Sequence, residues 1–188
     1  MSYYEITSER NSEKYIKLNK EIEILEKGCA YSEFQYLDHT PMECTISDDS
    51  GVDYPDFLQY GNIPLISNKF RQVLNDIGVD NLFYKPVMVV DELLGERNQY
   101  YLALPPAIDC LDIDKSECDE YLDGVNKIPD LPMVNLRKIV VKSDNIGNYK
   151  IFKVIGVIHS GIYINDEVKM VIQKNNLTNI FFYEVEEI

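Results

Sequence analysis

Residues 63–90, IPLISNKFRQVLNDIGVDNLFYKPVMVV, carry the strongest structural signal in the chain. Apolar side chains recur there at the spacing of one helix face, at Phe70, Val73, Leu74 and Ile77. Ser67 precedes this run as an N-cap, and Gly78 follows it as the kind of residue that ends a helix. The apolar residues after the glycine predict a strand over 82–90. The stretch therefore predicts an extended segment, a helix and a strand, in that order.

The same order returns near the C-terminus, in GIYINDEVKMVIQKNNLTNIFFYEVEEI over residues 161–188. Asn165 or Asp166 is the predicted cap, and Asn176 stands in the place of Gly78. An offset of 98 positions aligns the two segments without a gap. The aligned pairs are Ile66 with Ile164, Phe70 with Val168, Val73 with Val171, Leu74 with Ile172, Val79 with Leu177, Asn81 with Asn179, Leu82 with Ile180, Phe83 with Phe181, and Val87 with Val185.

Two interpretations fit this alignment. Any two amphipathic helices followed by strands align in hydrophobicity, because residue type follows burial. The matching caps, the matching stop residues and the Asn before each strand instead favour a duplicated helix–strand unit, with copies at 63–90 and 161–188. Two copies are too few for a solenoid. They predict a pseudo-symmetric α+β domain, in which the strand of the second copy covers 179–185.

The N-terminal part of the chain is predicted to lie outside this domain. Tyr15, Leu18, Ile22 and Leu25 recur at helical spacing and predict an accessory helix over 11–27. Residues 1–50 are therefore interpreted as a helix with an irregular extension, and residues 51–188 as the domain itself.

Further strands are predicted between the two copies. They cover 100–104 and 136–144, and a turn at 144–148 leads into a return strand at 149–158, which makes a hairpin. The predicted fold class is α+β, with a mostly antiparallel sheet, two related helix–strand units and the extra N-terminal helix.

The composition is that of a globular protein with a large excess of acid. Lys and Arg number 18 against 32 Asp and Glu, which gives 188 residues a formal net charge of −14. Such a surface repels phosphate groups, so nucleic acid and anionic membranes are poor partners. No signal-peptide pattern and no apolar run long enough to span a bilayer are found, which predicts a cytoplasmic protein.

Signatures of catalysis are sparse. The two histidines, His39 and His159, lie in no recognised nucleophile or metal motif, and no phosphate-binding glycine loop occurs. The cysteines, which are Cys29, Cys44, Cys110 and Cys118, lack metal or redox spacing and predict reduced thiols. We therefore expect no enzyme and no cofactor. A small enzyme that uses a His and Cys pair remains an alternative, because the fold and not the spacing brings such a pair together.

A calcium loop is also disfavoured. Asp112, Asp114, Ser116 and Asp123 fall on positions one, three, five and twelve of such a loop. Glu117 occupies the position at which the loop needs a glycine for its sharp turn. No metal site is therefore expected.

The segment 109–123 concentrates the acidic residues. The candidate partner-binding residues there are Asp109, Asp112, Asp114, Glu117, Asp119, Glu120 and Asp123. Such a segment favours steered binding to a basic protein, because complementary potential raises the association rate. Solubility alone explains the same charge, and a concave face between the two helices is the alternative contact. The 14 tyrosines either fill sheet positions or form an interface, so a self-assembling adaptor module is a further alternative.

Several stretches together resemble the small bacterial immunity proteins that are encoded beside polymorphic toxins, a family first catalogued as a domain of unknown function. They are YPDFLQYGN at 54–62, PLIS at 64–67, FYKPV at 83–87, YYLALPPAIDCLDIDKS at 100–116, IFKVIG at 151–156 and FFYEV at 181–185. The similarity covers residues 53–188. The resemblance implies a cytoplasmic protein, not an enzyme, that binds and neutralises a cognate toxin domain. Together with the acidic charge, it predicts stoichiometric occlusion of a basic toxin domain.

Overall fold

The computed structural model describes residues 2–9, 13–19, 42–60, 63–121, 134–157 and 161–187. Over these residues the chain is a mixed α and β fold made mostly of strands, as predicted. The strands are β1 (Tyr3–Thr7), β2 (Met42–Thr45), β3 (Phe57–Tyr60), β4 (Ile63–Ser67), β5 (Phe83–Asp91), β6 (Glu96–Leu104), β7 (Ala107–Ile108), β8 (Glu117–Tyr121), β9 (Val134–Lys138), β10 (Val140–Val141), β11 (Ile151–Val154), β12 (Ile162–Asn165) and β13 (Phe181–Glu187). The helices are α1 (Asn68–Asp76), α2 (Ser143–Ile146) and α3 (Asp166–Lys174). None of these helices has the length and hydropathy needed to cross a bilayer.

The strands form two large sheets and a two-stranded ribbon. Sheet 1 has the order β2-β5-β6-β4-β3, sheet 2 has the order β10-β13-β1-β12-β11-β7, and the ribbon pairs β8 with β9. Parallel pairing joins β2 to β5, β10 to β13 and β7 to β11. The other pairs of described strands are antiparallel. The antiparallel architecture predicted from sequence is therefore distributed over two sheets.

The helices α1 and α3 begin and end in the same way. Ser67 Oγ accepts a hydrogen bond at 3.1 Å from the amide three residues ahead, and Asn165 Oδ1 does so at the same distance. Gly78 and Asn176, after the helix ends, have φ values of 72° and 49°, which Gly and Asn adopt more readily than other residues. Both predicted helix–strand units thus fold with the local geometry that their cap and stop residues indicate.

The equivalence of the two units extends to the sheets. In each sheet the strand before the helix and the strand after it are parallel to each other, and a third strand lies between them, antiparallel to both. This central strand is β6 in sheet 1 and β1 in sheet 2, and the register is the same. Tyr100 on β6 lies opposite Ser67 and Val87, and Tyr3 on β1 lies opposite Asn165 and Val185.

Side-chain contacts also repeat at equivalent positions of the two units. The Arg71 guanidinium lies over the rings of Tyr84 and Tyr101, at 5.1 and 4.4 Å from their centroids. The equivalent contacts in the second unit, at 3.5 and 5.6 Å, join Lys169 to Tyr4 and Phe182. Each helix therefore places a cation over two aromatic rings of its own sheet, a favourable arrangement for a partly desolvated charge.

Two asparagines tie the units together. Asn81 Nδ2 donates a hydrogen bond to the Ile151 carbonyl of sheet 2 at 3.0 Å. Asn179 Nδ2, at the equivalent position, donates to the Phe57 carbonyl of sheet 1 at 2.8 Å. The bonds are reciprocal, so the units are related by an approximate two-fold rotation.

The apolar residues form three clusters, one central and two peripheral. The central cluster contains residues of α1 and α3 and of the facing sides of both sheets, among them Ile6, Phe57, Phe70, Ile164 and Val168. The second cluster covers the outer face of sheet 1, where Ile16 and Leu18 pack. The third covers part of the outer face of sheet 2, where Cys110 and Phe152 pack. Each sheet is therefore buried on its inner face, and different segments cover the outer face of sheet 1 and part of the outer face of sheet 2.

The prediction of a helix over 11–27 is wrong for residues 13–19, which contain no helix. Tyr15 forms a bridge with Asp53, and Leu18 forms one with Ile46. The buried side chains are Ile16 and Leu18, two positions apart, which is the period of extended chain. Residues 20–27 lie outside the described residues.

The predicted hairpin of 136–144 with 149–158 is also wrong. β10 pairs with β13 and β11 pairs with β12 and β7, while the helix α2 occupies the place of the turn.

Residues 1–50, interpreted as an extension, supply β1 to the interior of sheet 2 and β2 to the edge of sheet 1. Local turn signals do not reveal such distant partners.

Candidate functional site

The acidic segment follows β7 and is held against β10 by backbone hydrogen bonds. The Cys110 carbonyl accepts a hydrogen bond from Lys142 N at 2.8 Å. Asp112 N donates to the Val140 carbonyl at 2.9 Å. These bonds fix residues 109–117 as a turn, which we call the acidic turn, and give its outward side chains a rigid base.

Asp112 is the buried residue of this turn and stabilises it by hydrogen bonds. Its side chain is buried, and its Oδ1 accepts a hydrogen bond from Lys115 N at 3.2 Å. Its carbonyl accepts bonds from Ser116 N at 3.0 Å and from Ser116 Oγ at 2.6 Å. Ser116 Oγ in turn accepts one from Val140 N at 3.0 Å. Such bonds from an Asp to nearby backbone groups stabilise turns, so burial argues against Asp112 as a partner contact.

Three other candidate carboxylates point outward. Asp109, Asp114 and Glu117 are exposed. Glu117 lies opposite Lys138 in the ribbon, and Lys138 Nζ pairs with Glu186 at 2.7 Å, a hydrogen bond that raises the pKa of Lys138. Asp119 and Glu120 belong to β8, but their side chains and all of Asp123 lie outside the described residues.

The described thiols are poor nucleophiles. Cys44 and Cys110 are buried. Burial raises the pKa of Cys44 to about 11 and that of Cys110 to about 12, so both stay protonated at neutral pH. The two histidines, Cys29 and the side chain of Cys118 lie outside the described residues.

Carboxylates that were considered for a calcium loop point in different directions. Asp112 is buried, whereas Asp114, two residues later, is exposed. Among the residues that the structure describes, no group of three His, Cys, Asp or Glu side chains is placed to hold a metal ion.

A cleft of about 200 Å³ opens beside the end of α1. Its lining residues are Gly78, Val79, Asp80, Asn81, Asn148, Tyr149 and Lys150. Lys150 Nζ donates to the Ile77 carbonyl at 2.6 Å and pairs with Glu167 at 2.9 Å. At the equivalent place in the second unit an acid stands instead of the lysine, and the Asp56 carboxylate accepts a hydrogen bond from Thr178 N at 3.0 Å. The pseudo-symmetry therefore breaks at this position.

The geometry defines a mixed α and β fold with two structurally similar units that presents fixed carboxylates. Residues 7–187 match the immunity protein family Imm11, and the chain belongs to this family. The match includes most of the N-terminal part that the resemblance had left out. Membership of this family indicates an immunity function against a cognate toxin protein. No curated protein matches the chain.

Proposed function

We propose that the protein neutralises its toxin by forming a stoichiometric complex, without catalysis of its own. In this complex it covers the surface with which the toxin acts on its target. The complex forms in the cytoplasm of the producing cell, and the toxin presents a basic surface. Neither a nucleic acid nor a membrane takes part, because a net charge of −14 repels both.

The observation that carries this proposal is the acidic turn. Asp109, Asp114 and Glu117 are exposed on a backbone that β10 and the buried Asp112 hold in one conformation. A preformed charged surface loses little conformational entropy on binding, and its field accelerates the approach of a basic partner. A basic toxin surface normally directed at an anionic substrate is therefore complementary to this turn.

The test reverses the three exposed charges together, as Asp109→Lys, Asp114→Lys and Glu117→Lys. We expect association with the toxin domain encoded by the neighbouring gene to slow by about tenfold or more at low salt, and its salt dependence to flatten. Stopped-flow measurement over a range of salt concentrations reports both effects.

A matched control separates the local contact from net charge. Asp48→Lys, Glu92→Lys and Glu96→Lys reverse three exposed acids in the chain around sheet 1 and give the same net charge. If both triple variants slow association equally, the acidic turn is not the contact. If neither variant nor the unaltered protein binds the toxin domain or protects cells that produce it, the proposed mechanism is wrong.

A further inference from the structure

The outer face of sheet 2 differs from that of sheet 1 at equivalent positions. In sheet 1, Leu102 and Lys85 lie opposite each other and are 0% and 5% exposed. In sheet 2 the equivalent pair is Glu5 and Tyr183, and Tyr183 is 60% exposed. The chain therefore covers both positions on sheet 1, whereas on sheet 2 it leaves Tyr183 open and Glu5 partly exposed.

Phe181 extends the open area along the same strand. It lies two residues before Tyr183, so both rings point to the outer face, and Phe181 is 44% exposed. Its sheet 1 equivalent, Phe83, is partly buried against the outer cluster that includes Ile16 and Leu18. We call Phe181, Tyr183 and Glu5 the aromatic–acid face.

Glu5 gives this face a charge. It lies between Tyr183 and the buried Tyr163, and its side chain packs over the backbone of Gly161, where a Cβ would come within 2.7 Å of Glu5 Cδ. Burial raises the pKa of Glu5. Among the described residues no cation forms an ion pair with this carboxylate, and none lies over the rings of Phe181 or Tyr183.

On the inner face of each sheet, aromatic rings are paired with a cation from a helix. There, Arg71 lies over Tyr84 and Tyr101, and Lys169 lies over Tyr4 and Phe182. On the outer face the rings and a carboxylate are present, and no cation from the described part of the chain contacts them. A cation placed there would gain both ring contact and an ion pair.

We propose that the aromatic–acid face receives a basic side chain of the cognate toxin, which stacks on Tyr183 and Phe181 and pairs with Glu5. This inference rests on the proposed immunity function and adds a second contact beside the acidic turn. The acidic turn guides the toxin's approach, and the aromatic–acid face, with its rings and its partly desolvated carboxylate, holds the bound complex. Large aromatic residues at the centre of an interface commonly dominate its affinity.

The experiment measures the affinity and dissociation rate of the complex with the toxin domain encoded by the neighbouring gene. Tyr183→Ala together with Phe181→Ala should weaken binding by about 30-fold or more, mainly through faster dissociation. Tyr183→Phe keeps the ring and should bind within about threefold of the unaltered protein. Glu5→Gln, which keeps the shape and removes the charge, should weaken binding by about tenfold.

Leu93→Ala with Leu94→Ala is the matched control, because these exposed apolar residues lie on the turn between β5 and β6. It should leave the affinity unchanged. If the Phe181 and Tyr183 double variant binds within twofold of the unaltered protein, the aromatic–acid face is not the contact, although immunity itself stands. Loss of binding by the Leu93 and Leu94 variant as well would also overturn the inference, since the effect would then not be local.

Self-association gives a different outcome that can be measured without toxin. In sedimentation velocity we expect the protein alone to remain monomeric. If it dimerises and the Phe181 and Tyr183 double variant does not, the face is an interface between two copies and the proposal is wrong. If the unaltered protein neither binds nor protects against the toxin, both the inference and the proposed function fail.

Discussion

Asn179 offers a stringent test of the link between the two units. Its Nδ2 donates to the Phe57 carbonyl at 2.8 Å, and its Oδ1 accepts from Glu9 N at 3.0 Å. It is buried and has a φ of 63°, which Asn tolerates better than Ala. Asn179→Ala therefore removes two hydrogen bonds and adds backbone strain. Asn81→Ala is the matched control, because Asn81 makes the equivalent bond to Ile151 without a positive φ.

The expected magnitudes follow from these differences. A buried carbonyl left without its donor costs about 1–3 kcal/mol, and the left-handed backbone adds about 1 kcal/mol for Ala. We expect Asn179→Ala to lower the free energy of unfolding by about 3 kcal/mol, and Tm by about 6–12 °C. Asn81→Ala should cost about 1 kcal/mol. Asn179→Gly should recover about 0.5–1 kcal/mol of the Ala loss, because Gly relieves the strain but stabilises the unfolded chain.

Urea unfolding is the appropriate assay. The chain has 14 tyrosines and no tryptophan, so tyrosine fluorescence and circular dichroism report the transition. Equal costs at positions 81 and 179, with no recovery by Gly, would refute the argument from backbone conformation. A loss below about 0.5 kcal/mol for Asn179→Ala would refute the proposed link between the units.

Two further predictions concern the outer clusters. Phe152 is fully buried, and its ring stacks on that of Tyr163 with a centroid distance of 5.7 Å. Phe152→Ala should therefore lower the free energy of unfolding in urea by about 3–5 kcal/mol. Tyr149→Ala, at an exposed residue, is the control and should change it by less than about 0.5 kcal/mol. Burial raises the pKa of Cys44 to about 11 and of Cys110 to about 12, above the unfolded value of about 8.5. The folded state thus retains protons that the unfolded chain loses, and stability should fall as pH rises from about 9 to 11, with a shallower fall in Cys44→Ala. Unfolding curves at several pH values check this; an unchanged midpoint would contradict it.

The elements that the sequence predicted well are those with local signals. Ser67 and Asn165 are the N-caps of α1 and α3, and Gly78 and Asn176 directly follow the C-cap residues of these helices. The N-terminal segment was misjudged because Tyr15 and Leu18 satisfy helical spacing, whereas the buried alternation runs through Ile16 and Leu18. Leu18 belongs to both patterns, and only the pairing with the rest of the sheet shows that the extended one is adopted.

The candidate site was predicted in part. Concentration of acid identified the turn, but composition does not distinguish outward carboxylates from Asp112, which binds the backbone. Asp is a residue whose side chain often bonds the backbone just ahead of it in turns, which is the signal for the role of Asp112. The aromatic–acid face was missed because Glu5 and Tyr183 meet only through sheet pairing. Their alignment with Leu102 and Lys85 becomes visible once β1 is recognised as the equivalent of β6.

The two central strands, β6 and β1, come from different parts of the sequence, and this affects the order in which the two sheets form during synthesis. Strand β6 directly follows the first helix–strand unit in the sequence and pairs with both of its strands. The five described strands of sheet 1 have therefore all been synthesised by residue 104. Strand β1 is synthesised before the strands that it pairs with: Tyr4 lies opposite Ile164, 160 residues later in the chain. Such distant pairing is slow. We therefore expect β1, with its two adjacent tyrosines, to stay unpaired in the nascent chain until β12 and β13 have been synthesised, with sheet 1 already available for the second unit to pack on.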